Sequence, residues 1–175
     1  MDIYYPTSPS ESVPVVINMH GGGWSGGFKE EQGGFNMYFE KGYAVANVEY
    51  RLRGEALAPA CVEDVRGALH YILNHAEELN IDVNKVIFQG GSAGGHLALM
   101  GGYLMNNRIY DNDCVQYPNP IKIMAVIDKY GPCDFTQLMT YSSLIAWTGD
   151  RFSDQDFVNS LSPIEYVDAN TPPTY

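Results

Sequence analysis

Positive charge is scarce in this chain. Ten lysines and arginines stand against twenty-one aspartates and glutamates, for a net charge of -11. With no basic cluster to attract phosphate or an anionic membrane surface, the sequence argues against nucleic acid as a partner. Long apolar runs are missing too, so no membrane span is expected. The opening MDIYYPTSPS has neither the charged n-region nor the apolar h-region of a secretory signal, although a leader upstream of it stays compatible with the sequence. Cysteine is scarce. Cys61, Cys114 and Cys133 are odd in number and scattered, which suggests reduced thiols; that favours the cytoplasm without fixing the compartment. There is no internal repeat and no low-complexity tract.

Cofactor signatures are absent as well. No histidine and cysteine spacing supports zinc, and Asp111 and Asp113 begin a calcium-loop pattern whose glycine and closing glutamate do not follow. GGSAGG has neither the lysine of a phosphate-binding loop nor the spacing of a dinucleotide fingerprint. The sequence implies no metal and no cofactor.

What is present suffices for one globular domain: 175 residues, 45% of them hydrophobic. Val13 to Met19 (VPVVINM) is a nearly continuous apolar run, as expected of a strand covered on both faces of a parallel sheet. Phe35, Tyr38 and Phe39 suggest a helix from about Glu30 to Lys41, with Gly42 as its stop. Tyr43 to Tyr50 is a second strand. Pro59 suits a first helical residue, and Val62, Val65, Leu69, Ile72, Ala76 and Leu79 form one stripe of the helix that follows. Val86 to Gln89, Ala93 to about Asn106 and Ile121 to Tyr130 read as strand, helix and strand. The remainder, Gly131 to Tyr175, is mixed and rich in turn residues, and its TPPTY reads as the beginning of another strand. The alternation predicts an α/β fold: a mainly parallel sheet with helices on both faces and functional groups at the carboxyl ends of the strands.

Two glycine motifs stand at strand ends. Gly90, Gly91, Ser92, Ala93 and Gly94 satisfy G-x-S-x-G between a strand and a helix, where a strained turn holds a serine hydroxyl above the sheet. His20, Gly21, Gly22, Gly23 and Trp24 end the earlier strand. Glycines there let backbone N–H groups approach and donate to the oxyanion formed when an ester carbonyl is attacked.

Here the sequence resembles the hormone-sensitive-lipase-like and related bacterial carboxylesterases of the α/β-hydrolase fold. HGGGW, EYRL (Glu49 to Leu52), PACVEDVRGAL (Pro59 to Leu69), GGSAGGHLA (Gly90 to Ala98), and SPIEYV with TPPTY occur in the family's order over almost the whole chain. The resemblance implies that Ser92 is the nucleophile, that Gly21, Gly22 and Ala93 supply the oxyanion-hole N–H groups, and that His20 supports the loop and is not the base.

In this fold the triad runs serine, then aspartate or glutamate, then histidine along the chain. The family's acid follows the strand that TPPTY begins, so residues 1–175 are expected to be a single α/β-hydrolase domain lacking the C-terminal strands that carry the triad Asp and His. Other groups are poor substitutes. His96 shares the Ser92 helix, and His70 and His75 lie on a helix packed against the sheet face. Asp134, just after the fourth strand, is at the correct end of the sheet as a displaced acid but reads more simply as a turn aspartate. Glu63 and Asp64 fall in the first turn of their helix, where the macrodipole favours negative charge.

The leading expectation is a serine ester hydrolase acting on small acyl or carbohydrate-linked esters. An amidase or peptidase on the same scaffold and an inactive binding module remain as alternatives. A sheet without its last strands also leaves homo-oligomer formation through an exposed edge open.

Overall fold

The computed structural model describes residues 1–7, 11–112 and 114–175; Asp113, the second carboxylate of the calcium-loop reading, lies outside them. Five strands form one sheet: β1 (Asp2–Tyr4), β2 (Val13–Met19), β3 (Ala44–Val48), β4 (Ile81–Gly91) and β5 (Ala125–Lys129). Their order is β1-β3-β2-β4-β5, with β1 antiparallel to β3 and the other pairs parallel. The unbroken apolar run of β2 follows from its place: flanked by two strands and covered on both faces, it buries every residue except the half-buried Pro14.

Alternation along β2 feeds two cores. Val15, Ile17 and Met19 face the larger one, beneath α2 (Ala60–Asn74) and α3 (Ala93–Leu104), while Val16 joins Val45 and Ile87 on the opposite face. That second face is covered by Phe35, Tyr38 and Phe39, but the long helix expected there does not form. A 3-10 turn at Lys29–Glu31 and a single α-turn, α1 (Asn36–Phe39), take its place. Gly33 and Gly34 between them explain the break, since glycine costs a helix about 1 kcal/mol per residue. The stop at Gly42 is as expected, with φ +78° and its N–H donating to the Phe39 carbonyl at 3.0 Å.

Other boundaries shift for local reasons. Helix α2 begins at Ala60 after Pro59 and buries Val62, Val65, Leu69 and Ile72, but it ends at Asn74, so Ala76 and Leu79 belong to the turns beyond. Strand β4 starts earlier than its apolar segment because half-exposed Asp82 and exposed Asn84 and Lys85 extend it beyond the core. Strand β5 is trimmed to Ala125–Lys129. The turn-rich C-terminal part contains two short helices, α4 (Ser142–Thr148) and α5 (Gln155–Ser160), which bring Leu144, Trp147, Phe157 and Val158 into the larger core. TPPTY does lie along β5: Val126 donates to the Pro173 carbonyl at 2.9 Å, and Asp128 donates to that of Tyr175 at 2.8 Å.

A buried charge cluster ties α2 to the segment after α3. Arg66 Nε and Nη2 reach the two oxygens of Asp111 at 2.7 and 2.9 Å, and His70 Nε2 donates to Asp111 at 2.8 Å. Burial opposes charge on Asp111, but the bonds from Arg66 and His70 and the guanidinium charge outweigh it and hold the carboxyl far below its ordinary range. Asp111 is thus a structural anchor. Among the described residues there is no metal-ligating cluster, and no helix is long and apolar enough to cross a membrane. Cys61 and Cys133 are free thiols.

Candidate active site

Strand β4 ends at Gly91 and α3 begins at Ala93, which leaves Ser92 alone at the turn with φ 55° and ψ -123°. A residue with a Cβ at positive φ is strained and persists only where its surroundings hold it. Here Ser92 N–H donates to the Lys129 carbonyl at the end of β5 (2.9 Å), and the Ser92 carbonyl accepts from His96 N–H (3.0 Å). The turn is pinned from both sides. Gly94 completes it: a Cβ there would run into the main-chain carbonyls of Met19 and His20, so its absence lets α3 close against the end of β2.

The HGGGW loop therefore stands directly beside the serine. A Cβ built on Gly21 would lie 3.6 Å from Ser92 Cβ. The loop turns at Gly22, whose φ of +125° only glycine tolerates, and Ser25 and Gly26 donate to the Gly22 carbonyl at 3.0 and 3.1 Å. Two cavities meet at Ser92. One, of about 320 Å³, is walled by Trp24, Leu138, Tyr141 and Pro132; the other, of about 450 Å³, by Gly21, Gly22, Gln32, Gln89 and Lys129. Tyr130 borders both.

Two side chains anchor the loop. Trp24 is buried, stacks on Trp147 with ring centroids 4.6 Å apart, and donates from Nε1 to His96 Nδ1 at 3.2 Å. His20 is buried against the ring of Tyr50 at 4.2 Å, and its Nδ1 donates to the Gly21 carbonyl at 2.8 Å. Tyr50 OH donates in turn to the His20 carbonyl at 2.8 Å.

All four histidines are occupied elsewhere. His96 accepts from Trp24 and donates from Nε2 to the Leu161 carbonyl at 2.9 Å; burial pushes its pKa down to about 4, only partly offset by that bond. His70 accepts Tyr117 N–H at Nδ1 and faces Asp111. His75 stacks on Tyr71 and bonds to its carbonyl at 2.9 Å. Asp134 caps a 3-10 turn, accepting from Thr136 N–H at 2.9 Å and from its hydroxyl at 2.6 Å, as a turn aspartate does. Asp64 accepts from the backbone N–H and Nε of Arg51, and Glu63 pairs with the same guanidinium at 3.4 Å.

Sequence reasoning missed Tyr130, which borders both cavities at Ser92, and the carboxyl of Asp128 two residues earlier on β5. Tyr130 was read as a strand residue but sits at φ 54° with 83% of its surface exposed. Asp128 accepts Gly131 N–H at 2.8 Å, and burial raises its pKa. Gly131 was the available signal of a sharp turn here.

A mostly parallel sheet covered on both faces, with the serine elbow and glycine loop at its carboxyl edge, is the α/β-hydrolase fold. The chain belongs to the BD-FAE family, whose model matches residues 1–175. Carboxylesterase NlhH of Mycobacterium tuberculosis is 35% identical over 98 residues, covering 55% of this chain and 31% of that protein. Esterase LipC of the same organism is 25% identical over 177 residues, covering 94% of this chain and 43% of its own length. Among solved structures, a bifunctional GH43-CE protein of Bacteroides eggerthii superposes with TM-score 0.87 and 26% identity, over 98% of this chain and 25% of that one. A bacterial heroin esterase gives 0.78 and 28%, over 99% and 58%. The chain thus spans less than two thirds of each of these proteins.

Proposed function

We propose that this chain carries the nucleophile and oxyanion hole of a serine carboxylic-ester hydrolase acting on small acyl or carbohydrate-linked esters. The observation that carries the reading is the strained Ser92 turn held against the HGGGW loop. Ser92 Oγ attacks the ester carbonyl, the N–H groups of Gly21, Gly22 and Ala93 receive the developing oxyanion, and the alcohol leaves. Water then hydrolyses the acyl-serine. The names of its relatives, carboxylesterase and esterase, support ester chemistry. The polar second cavity and a structural neighbour described as a carbohydrate esterase support a hydroxylated alcohol group.

With all four histidines bonded elsewhere, the proposed base and its acid partner come from outside residues 1–175. The test is hydrolysis of p-nitrophenyl acetate by residues 1–175 and by a form extended through a downstream acid and histidine. Loss of a triad base costs on the order of 10⁶ in turnover, so the shorter form should stay near background and respond little to Ser92→Ala. The extended form should gain several orders of magnitude and lose them on Ser92→Ala. Fast, Ser92-dependent turnover by residues 1–175 would refute the external base. Preference for aryl formamides over short esters would indicate an amidase on the same scaffold. If neither form hydrolyses esters or reacts with a fluorophosphonate at Ser92, the chain is a binding module.

A further inference from the structure

The loop from His20 to Lys29 contains five glycines, Gly21, Gly22, Gly23, Gly26 and Gly27, and so has little conformational preference of its own. Its geometry must come from what holds its two ends. Glu49, the residue after β3, reaches both. Its Oε2 accepts Lys29 N–H at 2.8 Å, and its Oε1 lies 3.5 Å from His20 Nε2. The His20 side chain is 1% exposed and its Nε2 has no hydrogen bond; the Glu49 carboxylate is the polar group it faces, and because Nδ1 donates to Gly21 the contact is attractive only in the imidazolium form, with a proton on both ring nitrogens. The other ring nitrogen engages Gly21, the first glycine of the loop.

The Lys29 end is gripped twice. Asn47, two residues before Glu49 along the chain, donates to the Lys29 carbonyl at 2.7 Å, so one residue has both its backbone polar atoms, in the two peptide units that flank its Cα, held by side chains from β3 and its end. The ammonium group of Lys29 points elsewhere, to Asp2 at 2.8 Å and Glu30 at 2.7 Å; it is the backbone of Lys29 that Glu49 holds.

We infer that Glu49 is a positioning residue that staples the two ends of the glycine loop together and thereby fixes the Gly21 and Gly22 amides beside Ser92. The catalytic part of this inference rests on the ester-hydrolase reading; the staple itself rests on the contacts alone. A preorganised oxyanion hole depends on donors that need not move as charge develops, and the anchors at Trp24 and at His20 against Tyr50 do not tie the His20 end of the loop to its Lys29 end.

The test compares Glu49→Gln with Glu49→Ala. The glutamine keeps an acceptor for Lys29 N–H but removes the charge opposite His20; the alanine removes both. Amide hydrogen exchange of the segment 20–29 should accelerate about tenfold or more in Glu49→Ala, with β4 and α2 unchanged, and Glu49→Gln should recover the Lys29 end while the His20 end stays fast. In the extended, active form, Glu49→Ala should lower kcat about tenfold at unchanged KM, with partial rescue by glutamine. Unchanged exchange in 20–29, or acceleration spread evenly over the whole domain, would overturn the staple. Local loosening with kcat unaltered would overturn its catalytic role. If the extended form has no esterase activity at all, the ester-hydrolase reading fails, and the exchange result still decides the staple.

Discussion

Trp24 of the glycine loop and His96 of the nucleophile helix share a hydrogen bond, indole Nε1 to imidazole Nδ1, at 3.2 Å inside an aromatic cluster that includes Phe135 and Trp147. The bond joins the two motifs that meet at Ser92, and it requires an unprotonated Nδ1.

His96 should therefore make stability depend on pH. With its folded pKa at about 4 against an ordinary value near 6.5, the unfolded chain binds the extra proton between those limits. Stability should fall on acidification from about pH 6.5 to 4, by up to about 1.4 kcal/mol per pH unit, and His96 should add no pH dependence above that range. Urea midpoints at closely spaced pH values check this. In His96→Gln the slope in this window should shrink; an unaltered slope would show that His96 is not its source.

Asp111 acts in a lower window. Its folded pKa is depressed, so its contribution is complete above the unfolded carboxylate value of about 3.9 and is withdrawn as pH falls toward the folded value. Asp111→Asn leaves Arg66 charged in a fully buried site and should cost about 3 to 5 kcal/mol at neutral pH, read as a lowered denaturation midpoint. A loss below 1 kcal/mol would contradict the burial of this pair.

Gly94→Ala should be among the most damaging single changes. The new methyl meets the Met19 and His20 carbonyls, which are main-chain atoms with no rotamer to escape into. Overpacking of this kind costs about 1 to 3 kcal/mol or more, and here relief must move α3 away from the glycine loop. Thermal melting should show the loss, and fluorophosphonate labelling of Ser92 in the extended form should slow even at temperatures where the variant is folded.

Tyr130 offers the opposite test. It is largely exposed and held at φ 54°, where a residue with a Cβ costs roughly 1 to 2 kcal/mol. Tyr130→Gly should thus be more stable than Tyr130→Ala by about 1 kcal/mol, since only glycine relieves the backbone. Both variants should join the two cavities beside Ser92 and widen the range of ester sizes accepted by the extended form. Equal midpoints for Gly and Ala would show that the turn is not strained.

Much of this organisation was legible in the chain. Strand β2 announced itself because burial on both faces demands an unbroken apolar run, and α2 because a helix half covered by the sheet must keep its apolar residues on one stripe. The serine turn and the glycine loop were visible because their backbones exclude most other residues. Short elements were not: β1 has three residues, and α4 and α5 are too brief for a period to emerge, so they exist through contacts the linear pattern does not contain.

The sequence by itself determined the parallel α/β architecture, the candidate nucleophile and the candidate oxyanion-hole loop, since each depends on local periodicity or on positions that admit only glycine. Tertiary structure alone decided that Trp24 would meet His96 and that Asp111 would be an anchor for Arg66. It alone placed Tyr130 between two cavities and Glu49 across both ends of one loop. Those pairings join residues as far as 72 positions apart, and no local propensity encodes a contact that exists only once the sheet has brought its strand ends together.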